Sequence, residues 1–352
     1  MRVAVTGGLG FIGSAVIRRL ITSTDHTVLN IDSETYAATR GSVSAAAQSD
    51  RYHHSPVDIA DGGRLRSVLA SFAPDAVIHL AAESHVDRSI DGPRTFVETN
   101  IDGTYHLLEA ARAEVVSRGA LDRFRFVHVS TDEVFGALEL DDPAFDETTP
   151  YRPRSPYSAS KAAADHLVRA WYETYDLATI IITSSNNYGP FQFPEKLIPL
   201  MIIKAAAGQR LPVYGQGDNI RDWLYVEDHA RLIVSALTDG QPGETYTIGG
   251  RAERNNLDVV QSICDSLDTM LGRPAKGKRR DLITFVEDRP GHDLRYAIDP
   301  TKASRELGWE PSVSFEEGLD LTIRWYLDNG WWWRPIAQER YDGRRLGQGP
   351  NP

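Results

Sequence analysis

Two groups of side chains in this sequence could perform acid–base chemistry, and the first is Tyr157 with Lys161. Residues four apart on a helix lie on the same side, one turn from each other. A free tyrosine titrates near pH ~10, and an ammonium beside it stabilises the phenolate, so that the tyrosine becomes usable as a base. Because a solvated pair at this spacing is common on helices, the pair alone does not establish a site.

The second group is the run Thr131-Asp132-Glu133, which follows the apolar segment 124–129. The segment predicts a buried strand, so the two carboxyl groups lie at a strand end, where such residues usually cap a helix. Beside a dinucleotide site and an activated tyrosine, they become candidates for an acid and a base that act on one substrate. The combination indicates oxidation and reduction coupled to an elimination.

The start of the chain predicts that dinucleotide site. An apolar segment, 2–6, is followed by the turn G-G-L-G-F-I-G at residues 7–13 and then by a helical pattern. Glycines allow a tight turn that approaches a pyrophosphate closely, and the helix N-terminus offers N–H groups to it. Asp32 ends the next apolar segment, where a carboxylate would hold the ribose hydroxyls and repel a 2′-phosphate. The sequence therefore predicts bound NAD rather than NADP.

Strand and helix patterns alternate through the first half of the chain, which predicts a Rossmann-type, doubly wound parallel α/β sheet. Further strands are expected at 51–54, 76–80, 124–129 and 179–183, and helices at 63–72, 93–118 and 157–175. Beyond residue 187, helices and short strands mix with Pro and Gly turns, which indicates a smaller mixed α/β substrate-binding lobe.

The predicted division is a Rossmann domain at 1–185 that includes the Tyr157 helix, and a lobe at 186–337. Some segments of the second part are expected to return to the Rossmann domain. Residues 338–352 are polar and rich in Arg, Gly and Pro, and we expect a loosely ordered tail there.

Composition excludes several classes of function. The formal net charge of -11 over 352 residues argues against a nucleic-acid surface and against an anionic membrane surface. No run of 18 apolar residues and no export signal is visible. The single cysteine, Cys264, permits no disulfide framework, which suits a cytoplasmic protein. His53 and His54 lack companion ligands, so no metal site is expected.

Several motifs together resemble the extended short-chain dehydrogenase/reductase superfamily. They are the glycine turn with Asp32, A-A-E-S-H-V-D-R-S at 81–89, S-T-D-E-V-F-G at 130–136 and Y-S-A-S-K at 157–161. More narrowly, the chain resembles the dTDP-glucose 4,6-dehydratase family from residue 2 to about residue 335. That likeness rests on T-D-E at 131–133, N-N-Y-G-P at 186–190, F-P-E-K-L-I-P at 193–199, R-D-W at 221–223 and R-P-G-H-D at 289–293.

The resemblance implies a mechanism with NAD as the cofactor. Tyr157 takes the proton of the sugar 4-hydroxyl while hydride leaves C4, with Thr131 hydrogen-bonded to the same oxygen and Lys161 on the nicotinamide ribose. Glu133 removes the C5 proton, and protonated Asp132 donates to the C6 hydroxyl so that water departs. Hydride then returns to C6, which gives a 4-keto-6-deoxy sugar nucleotide. Asp132 must therefore be protonated when Glu133 is not.

The resemblance also implies the binding residues. The residues expected around NAD are Gly7, Gly10, Phe11, Ile12, Gly13, Asp32, Ser33, Thr35, Asp58, Ile59, Leu80, Ala81, Ala82, Ser84, Thr99, Tyr157, Lys161 and Asn187. Those expected around the nucleotide sugar are Ser84, Thr131, Asn186, Lys196, Leu197, Pro212, Tyr214, Arg221, Asn256, Arg289 and His292. Arginine and lysine suit a pyrophosphate because of their charge and donor geometry.

Alternative functions stay open at this point. One alternative is a 4-epimerase, or a dehydratase of a UDP- or GDP-hexose, although the Asp-Glu pair argues against epimerisation. A non-catalytic NAD-binding regulator would not require all five predicted catalytic residues. The resemblance further implies a homodimer formed by the helices that begin near residues 93 and 157. The apolar residues that could form its interface, or equally the monomer core, are Leu107, Leu108, Ala111, Leu167 and Ala170.

Overall fold

The structure, a computed structural model, describes residues 1–275, 277–288 and 291–339. Within these residues the strands are β1 Arg2–Thr6, β2 Thr27–Ile31, β3 Tyr52–Ser55, β4 Ala76–His79, β5 Arg125–Thr131, β6 Thr179–Ser184, β7 Asn186–Tyr188, β8 Leu211–Tyr214, β9 Ile220–Tyr225, β10 Thr245–Ile248, β11 Glu253–Asn255 and β12 Ile283–Val286. The α-helices are α1 Phe11–Ser23, α2 Gly62–Phe72, α3 Val86–Asp91, α4 Pro93–Phe96, α5 Gly103–Ser117, α6 Pro156–Tyr175, α7 Leu197–Ala206, α8 Val226–Asp239, α9 Asn256–Leu271, α10 Thr301–Leu307, α11 Phe315–Asp328 and α12 Gly330–Glu339.

Seven parallel strands form the large sheet, in the order β10-β6-β5-β4-β1-β2-β3. In its centre, Val5 of β1 pairs with Asn30 of β2 on one side and with Ile78 of β4 on the other. The β-branched and apolar residues of β1 and β4 are buried, as expected for strands covered on both faces. The strand order reverses between β1 and β4, and ligands of such sheets bind at the carboxyl ends beside this reversal.

Helices cover both faces of the large sheet. Val16 of α1 and Ile233 of α8 belong to the core on one face. Leu65 of α2, Leu107 of α5 and Val168 of α6 belong to the core on the other face. This arrangement confirms the predicted Rossmann-type, doubly wound α/β fold.

The remaining strands form a smaller mixed lobe, as predicted. β9 pairs with β7 in parallel and with β11 antiparallel, and β8 pairs with β12. Helices α7, α9 and α11 enclose a separate core that contains Met201, Ile263, Leu319 and the single cysteine, Cys264.

Segments from the second half of the chain also lie in the larger layer. β10 pairs with β6, and α8 packs against α1. The domain boundaries proposed from the sequence, at 1–185, 186–337 and 338–352, stay predictions. Gln338 and Glu339 end α12, and residues 340–352 of the predicted tail lie outside the described residues.

The predicted helix at 93–118 contains an irregularity. α4 leads into a π-helical segment, Val97–Asp102, before α5 begins. The amide of the buried Asn100 on this segment donates to the Glu83 carbonyl at 3.0 Å and to Ser160 Oγ at 2.8 Å. Segments of π-helix often occur at functional sites. This one connects the loop after β4 to α6 through the two hydrogen bonds of Asn100.

The apolar residues that the sequence offered for a dimer interface divide into two groups. Leu107, Leu108 and Ala111 are completely buried in the core beneath the large sheet, so for these three residues the alternative of the monomer core is the one that the structure shows. Leu167 is half-buried and Ala170 is exposed. A periodic apolar pattern has the same appearance whether a helix packs on its own sheet or on a second chain. Here the apolar face of α5 packs on the large sheet.

Candidate active site

The glycine turn between β1 and α1 packs so closely against the neighbouring backbone that side chains would not fit at two of its glycines. A Cβ on Gly7, whose φ is +71°, would lie 2.6 Å from the Ala81 backbone nitrogen. A Cβ on Gly13 would lie 2.2 Å from the Gly7 carbonyl oxygen. The N-cap residue of α1 is Gly10, which has no side chain to cap the helix, so the first N–H groups of α1 are suited to bind a phosphate.

Asp32 ends β2 at the same edge of the sheet. Its carboxylate accepts hydrogen bonds from the backbone N–H groups of Leu9 at 2.9 Å and Glu34 at 2.8 Å. Burial raises the pKa of Asp32, and these two hydrogen bonds oppose that rise. The two bonds fix the carboxylate beside the glycine turn and leave further lone pairs for the hydroxyls of a ribose.

A first cavity extends from the glycine turn across the carboxyl ends of β1, β2 and β4. It is lined by 17 of the 18 residues predicted to surround NAD: Gly7, Gly10, Phe11, Ile12, Gly13, Asp32, Ser33, Thr35, Asp58, Ile59, Leu80, Ala81, Ala82, Ser84, Thr99, Tyr157 and Lys161. The remaining residue, Asn187, lines a second cavity instead. Its amide donates to the Ser185 carbonyl at 2.9 Å, and its oxygen lies 2.9 Å from His229 Nδ1.

Tyr157 and Lys161 lie on the first two turns of α6, which begins with a capping box of Ser155 and Ser158. Both side chains are buried, and the Lys161 ammonium donates to the Val129 carbonyl at 2.8 Å. Burial lowers the pKa of Lys161 to about 8, while the charge of Asp165 opposes this. Burial, together with the charge of Glu133, raises the pKa of Tyr157. Tyr157 therefore needs nearby positive charge to act as a base.

Asp132 and Glu133 follow β5 in a short 3-10 turn, and their environments differ. Asp132 is 1% exposed, while Glu133 is partly exposed and lines the second cavity. Burial and, next, the charge of Glu133 raise the pKa of Asp132 well above its ordinary value. Asp132 Oδ2 is buried and has no hydrogen-bond partner among the described residues. The pair therefore consists of a carboxyl group that favours its protonated form and a neighbour open to a ligand.

Thr131 lies between the two groups of reactive side chains. Its hydroxyl donates to Asp132 Oδ1 at 3.3 Å, and its proximity lowers the pKa of Tyr157 against the larger effect of burial. It further accepts the backbone N–H of Glu133 at 3.4 Å. The end of β5 thus places the acidic pair close enough to Tyr157 for their charges to affect its pKa.

A network of polar side chains surrounds Asp165 of α6, four residues after Lys161. The Asp165 carboxylate accepts hydrogen bonds from Ser130 Oγ at 2.7 Å and from the Tyr151 hydroxyl at 2.8 Å, and lies 2.9 Å from His128 Nε2. Burial would raise the pKa of Asp165, but these hydrogen bonds and the nearby Lys161 charge outweigh it and hold the pKa below its ordinary value. Asp165 is therefore a buried negative charge beside Lys161.

The second cavity lies between the large sheet and the smaller lobe. It is lined by nine of the residues predicted for the nucleotide sugar: Ser84, Asn186, Lys196, Leu197, Pro212, Tyr214, Arg221, Asn256 and His292. Thr131 lines neither cavity, and Arg289 lies outside the described residues. Ser84 and Lys196 line both cavities, so the two spaces meet beside the catalytic side chains.

Positive charge and aromatic surface occur together in the second cavity. The buried Arg221 guanidinium lies 4.3 Å from the centre of the Tyr296 ring and donates to the Asp293 carbonyl at 3.1 Å. The Tyr214 and His292 rings contact each other edge to face, with 6.2 Å between their centres. These are suitable groups for a diphosphate and for a flat nucleotide base.

Sequence reasoning missed several lining residues where the two cavities meet. Tyr36 stacks under the Arg88 guanidinium at 3.9 Å, and Arg88 forms an ion pair of 3.1 Å with Glu195. Tyr36 and Glu195 line the first cavity, as do Ala37 and Ala38 from a segment with no predicted role. Glu195 belongs to the motif F-P-E-K-L-I-P, which the sequence shows. Its ion pair with Arg88 joins segments that are distant in sequence, so no local pattern predicts it.

No group of three or more His, Cys, Asp or Glu side chains in the described ranges is arranged to hold a metal ion. In the same ranges, every helix is too short or too polar to cross a bilayer.

Comparison with known proteins places the chain among nucleotide-sugar dehydratases. Residues 4–322 match the family model described as GDP-mannose 4,6 dehydratase. The dTDP-glucose 4,6-dehydratase of Escherichia coli is 53% identical over 359 residues, covering 99% of each chain. The enzyme of the same name from Neisseria meningitidis is 54% identical over 352 residues, also covering 99% of each chain.

Solved structures give the same result. DesIV, a dTDP-glucose 4,6-dehydratase from Streptomyces venezuelae crystallised with NAD and dTDP, matches with a TM-score of 0.87 and 43% identity. The match covers 96% of this chain and 100% of DesIV. The UDP-glucose 4-epimerase of Thermotoga maritima, crystallised with UDP-glucose, has a TM-score of 0.82 but only 26% identity, covering 93% and 99% of the two chains. The chain therefore belongs to the dTDP-glucose 4,6-dehydratase family of the extended short-chain dehydrogenases/reductases.

Proposed function

We propose that the protein converts dTDP-glucose to dTDP-4-keto-6-deoxyglucose and water. One observation carries this proposal beyond family membership: Asp132 is buried, its pKa is raised, and it lies beside the more open Glu133. An elimination of water needs an acid for the departing hydroxyl and a base for the carbon-bound proton. A carboxyl pair whose environments differ in this way supplies both.

The residues around the first cavity fit NAD. The glycine turn has no room for a Cβ at Gly7 or Gly13, α1 offers uncapped N–H groups, and the Asp32 carboxylate is fixed at the end of β2. NAD, when bound, would supply the redox chemistry of the reaction, which is the transfer of hydride from C4 to C6 of the sugar. The residues of the cavity hold the cofactor through turnover.

Tyr157 takes the proton of the 4-hydroxyl, and Thr131 hydrogen-bonds to the same oxygen. The ammonium of Lys161 stabilises the phenolate of Tyr157 electrostatically. Once C4 carries a carbonyl group, the proton on C5 becomes acidic, and Glu133 removes it. Asp132 donates a proton to the C6 hydroxyl, and Oδ2, which lacks a partner among the described residues, is the atom available for this.

The second cavity holds the nucleotide diphosphate in this proposal. Arg221 and Lys196 neutralise the charge of the diphosphate. Because the protein has a formal net charge of -11, an anionic substrate needs positive side chains at its binding site. Tyr214 and His292 enclose the base. DesIV was crystallised with dTDP, which supports thymidine as the preferred nucleoside.

The purified protein should be mixed with dTDP-glucose and, separately, with UDP-glucose, without added reductant. We expect the dTDP sugar to lose one water, as seen by product mass, with no net change in nicotinamide absorbance. An unchanged mass with a changed sugar configuration would mean a 4-epimerase, the activity named for the Thermotoga maritima relative. Dehydration of the UDP sugar alone would overturn the base preference, and inertness towards both would contradict the proposal.

We also propose a homodimer in the cytoplasm, formed through α6 and through the helical stretch from α4 to α5, which includes the π-helical segment. Val97, Tyr105 and Tyr175 expose 47%, 44% and 42% of their surface there, and Tyr105 packs edge to face on Trp171. The substitution Tyr105→Lys should weaken a dimer detected by light scattering, and Leu271→Lys, at an exposed leucine of α9, is the control. A wild-type monomer would contradict this proposal without affecting the proposed reaction.

A further inference from the structure

The segment 33–48, between β2 and β3, forms one wall of the first cavity but has little regular structure of its own. The residues that it contributes to the lining are Ser33, Thr35, Tyr36, Ala37 and Ala38. Its regular structure consists of two short 3-10 turns, Arg40–Val43 and Ala46–Gln48. A wall with so few hydrogen bonds of its own opens easily unless other parts of the chain hold it.

Ser42 is a point at which this wall is attached to the rest of the protein. The residue is 3% exposed. Its carbonyl accepts a hydrogen bond from the Arg18 guanidinium at 3.0 Å, and its hydroxyl accepts one from the indole Nε1 of Trp332 at 3.1 Å. Arg18 belongs to α1, which follows the glycine turn, and Trp332 belongs to α12. The wall is therefore held by helices from opposite ends of the chain.

The same two side chains hold a second wall residue, Phe191, which also lines the first cavity. The Arg18 guanidinium lies 4.4 Å from the centre of the Phe191 ring. Trp332 meets this ring edge to face at 5.6 Å, and Trp325 of α11 packs on it at 4.5 Å between ring centres. Phe191 has a φ of +67°, which is costly for a residue other than glycine and persists where the surroundings fix it.

Trp332 thus contacts two walls of the first cavity from behind, while it lines neither cavity itself. We propose that Trp332 is a positioning residue of the cofactor site: through Ser42 and Phe191 it holds the first cavity closed over NAD and slows the release of the cofactor. The proposal rests on the first cavity as the NAD site of the proposed function. Because the proposed reaction regenerates NAD in every turnover, the site has no need to open for exchange of the cofactor.

The test is the rate of NAD release, measured without substrate. Protein loaded with radiolabelled NAD is diluted into excess unlabelled NAD, and the bound label is followed by rapid gel filtration. Trp332→Phe keeps an aromatic ring against Phe191 but removes the N–H group that is donated to Ser42. It should release NAD about fivefold faster, the usual effect of one lost hydrogen bond. Ser42→Ala removes the acceptor of the same bond and should have a similar effect.

The double variant tests whether the two residues act through one bond. Since Trp332→Phe and Ser42→Ala remove the same hydrogen bond, release from the double variant should be no faster than from the faster single variant. Increases that multiply in the double variant would mean that the residues act independently, which would overturn the proposal.

Trp333→Phe is the matched control on the same helix. The indole Nε1 of Trp333 donates to the Tyr326 carbonyl at 2.8 Å, so the variant loses the same kind of bond, but one directed at α11 rather than at a cavity wall. It should release NAD at the wild-type rate. The unfolding midpoint of each protein, measured after removal of NAD, reports general destabilisation. Faster release from Trp333→Phe, equal to that from Trp332→Phe, would indicate a structural role of α12 alone and would overturn the proposal.

The remaining outcomes are also decisive. Release at the wild-type rate from Trp332→Phe overturns the proposal, and Ser42→Ala decides in the same way if Trp332→Phe does not fold. A wild-type protein that retains NAD but leaves dTDP-glucose unchanged refutes the proposed reaction and not this inference. A wild-type protein that binds no NAD refutes both.

Discussion

Lys161 and Asp165 lie one helical turn apart on α6, and both side chains are buried. An ammonium and a carboxylate buried together favour each other's charged forms. The charge of Asp165 raises the pKa of Lys161, against the larger effect of burial, which lowers it to about 8. The positive charge that Tyr157 needs therefore depends on a carboxylate that contacts neither cofactor nor substrate in the proposed mechanism.

Asp165→Asn should consequently lower the alkaline limit of activity. Lys161 is charged below its pKa, so a further fall in that pKa removes the charge at a lower pH. We expect the alkaline limb of the kcat profile to move down by about one pH unit, with little loss near pH ~6. The measurement is kcat as a function of pH with saturating substrate.

The matched control is Glu173→Gln, which makes the same acid-to-amide change on the exposed side of α6. It should leave the profile unchanged. A loss of kcat in Asp165→Asn that is equal at every pH would indicate a structural role alone, and would contradict the charge argument.

Buried histidines should make the protein sensitive to acid. Burial lowers the pKa of His128 to about 4 and that of His229 to about 3, and it lowers the pKa of His79 as well. Between pH ~6.5 and pH ~4 the unfolded chain then binds more protons than the folded one, so stability falls as the pH falls. For His128 alone the full effect is roughly 3 kcal/mol.

Urea unfolding at pH ~7, ~6 and ~5 would measure this loss. The variant His128→Asn should unfold with about one proton less taken up near pH ~5, and so show a weaker pH dependence. His53→Asn, at an exposed histidine, should keep the wild-type dependence. An equal dependence in wild type and His128→Asn would mean that His128 is charged in the folded protein.

Local spacing accounts for what the sequence could predict. The glycine turn, the apolar strands and the pair Tyr157 and Lys161 are each contained within about a dozen residues, and their geometry follows from strand and helix periods. The second cavity could be anticipated only through resemblance, because Arg221 and His292 are distant in sequence.

The parts that could not be predicted depend on contacts between distant segments. Asp165 stands four residues after Lys161, but its partners His128 and Tyr151 are 37 and 14 residues away. The segment around Tyr36 has no periodic pattern, and its position follows from stacking with Arg88. Periodicity also cannot distinguish a helix face that covers a sheet from one that meets a second chain.

Removal of the proposed acid should separate the two halves of the reaction. We expect Asp132→Asn to keep the oxidation at C4 but to slow the release of water by at least about 100-fold, the usual range for loss of a general acid. Nicotinamide absorbance in a single turnover would report the oxidation, and product mass would report the elimination. Asp141→Asn, at an exposed aspartate beyond β5, is the control. Unaltered turnover would remove Asp132 from the mechanism.

Two glycines at helix starts should respond in opposite ways to the same substitution. Gly13→Ala places a methyl group 2.2 Å from the Gly7 carbonyl oxygen, which cannot move without the phosphate-binding turn. We expect it to cost about 1–3 kcal/mol of stability and to reduce the amount of NAD that copurifies.

In the control Gly63→Ala, on α2, the added methyl group lies 3.6 Å from the Asp61 carboxylate, at an ordinary contact distance. It should raise stability by up to about 1 kcal/mol, since alanine favours helix, and leave NAD content unchanged. The measurements are the unfolding midpoint and the NAD released by denaturation; full NAD content in Gly13→Ala would show that the turn does not hold the cofactor as proposed.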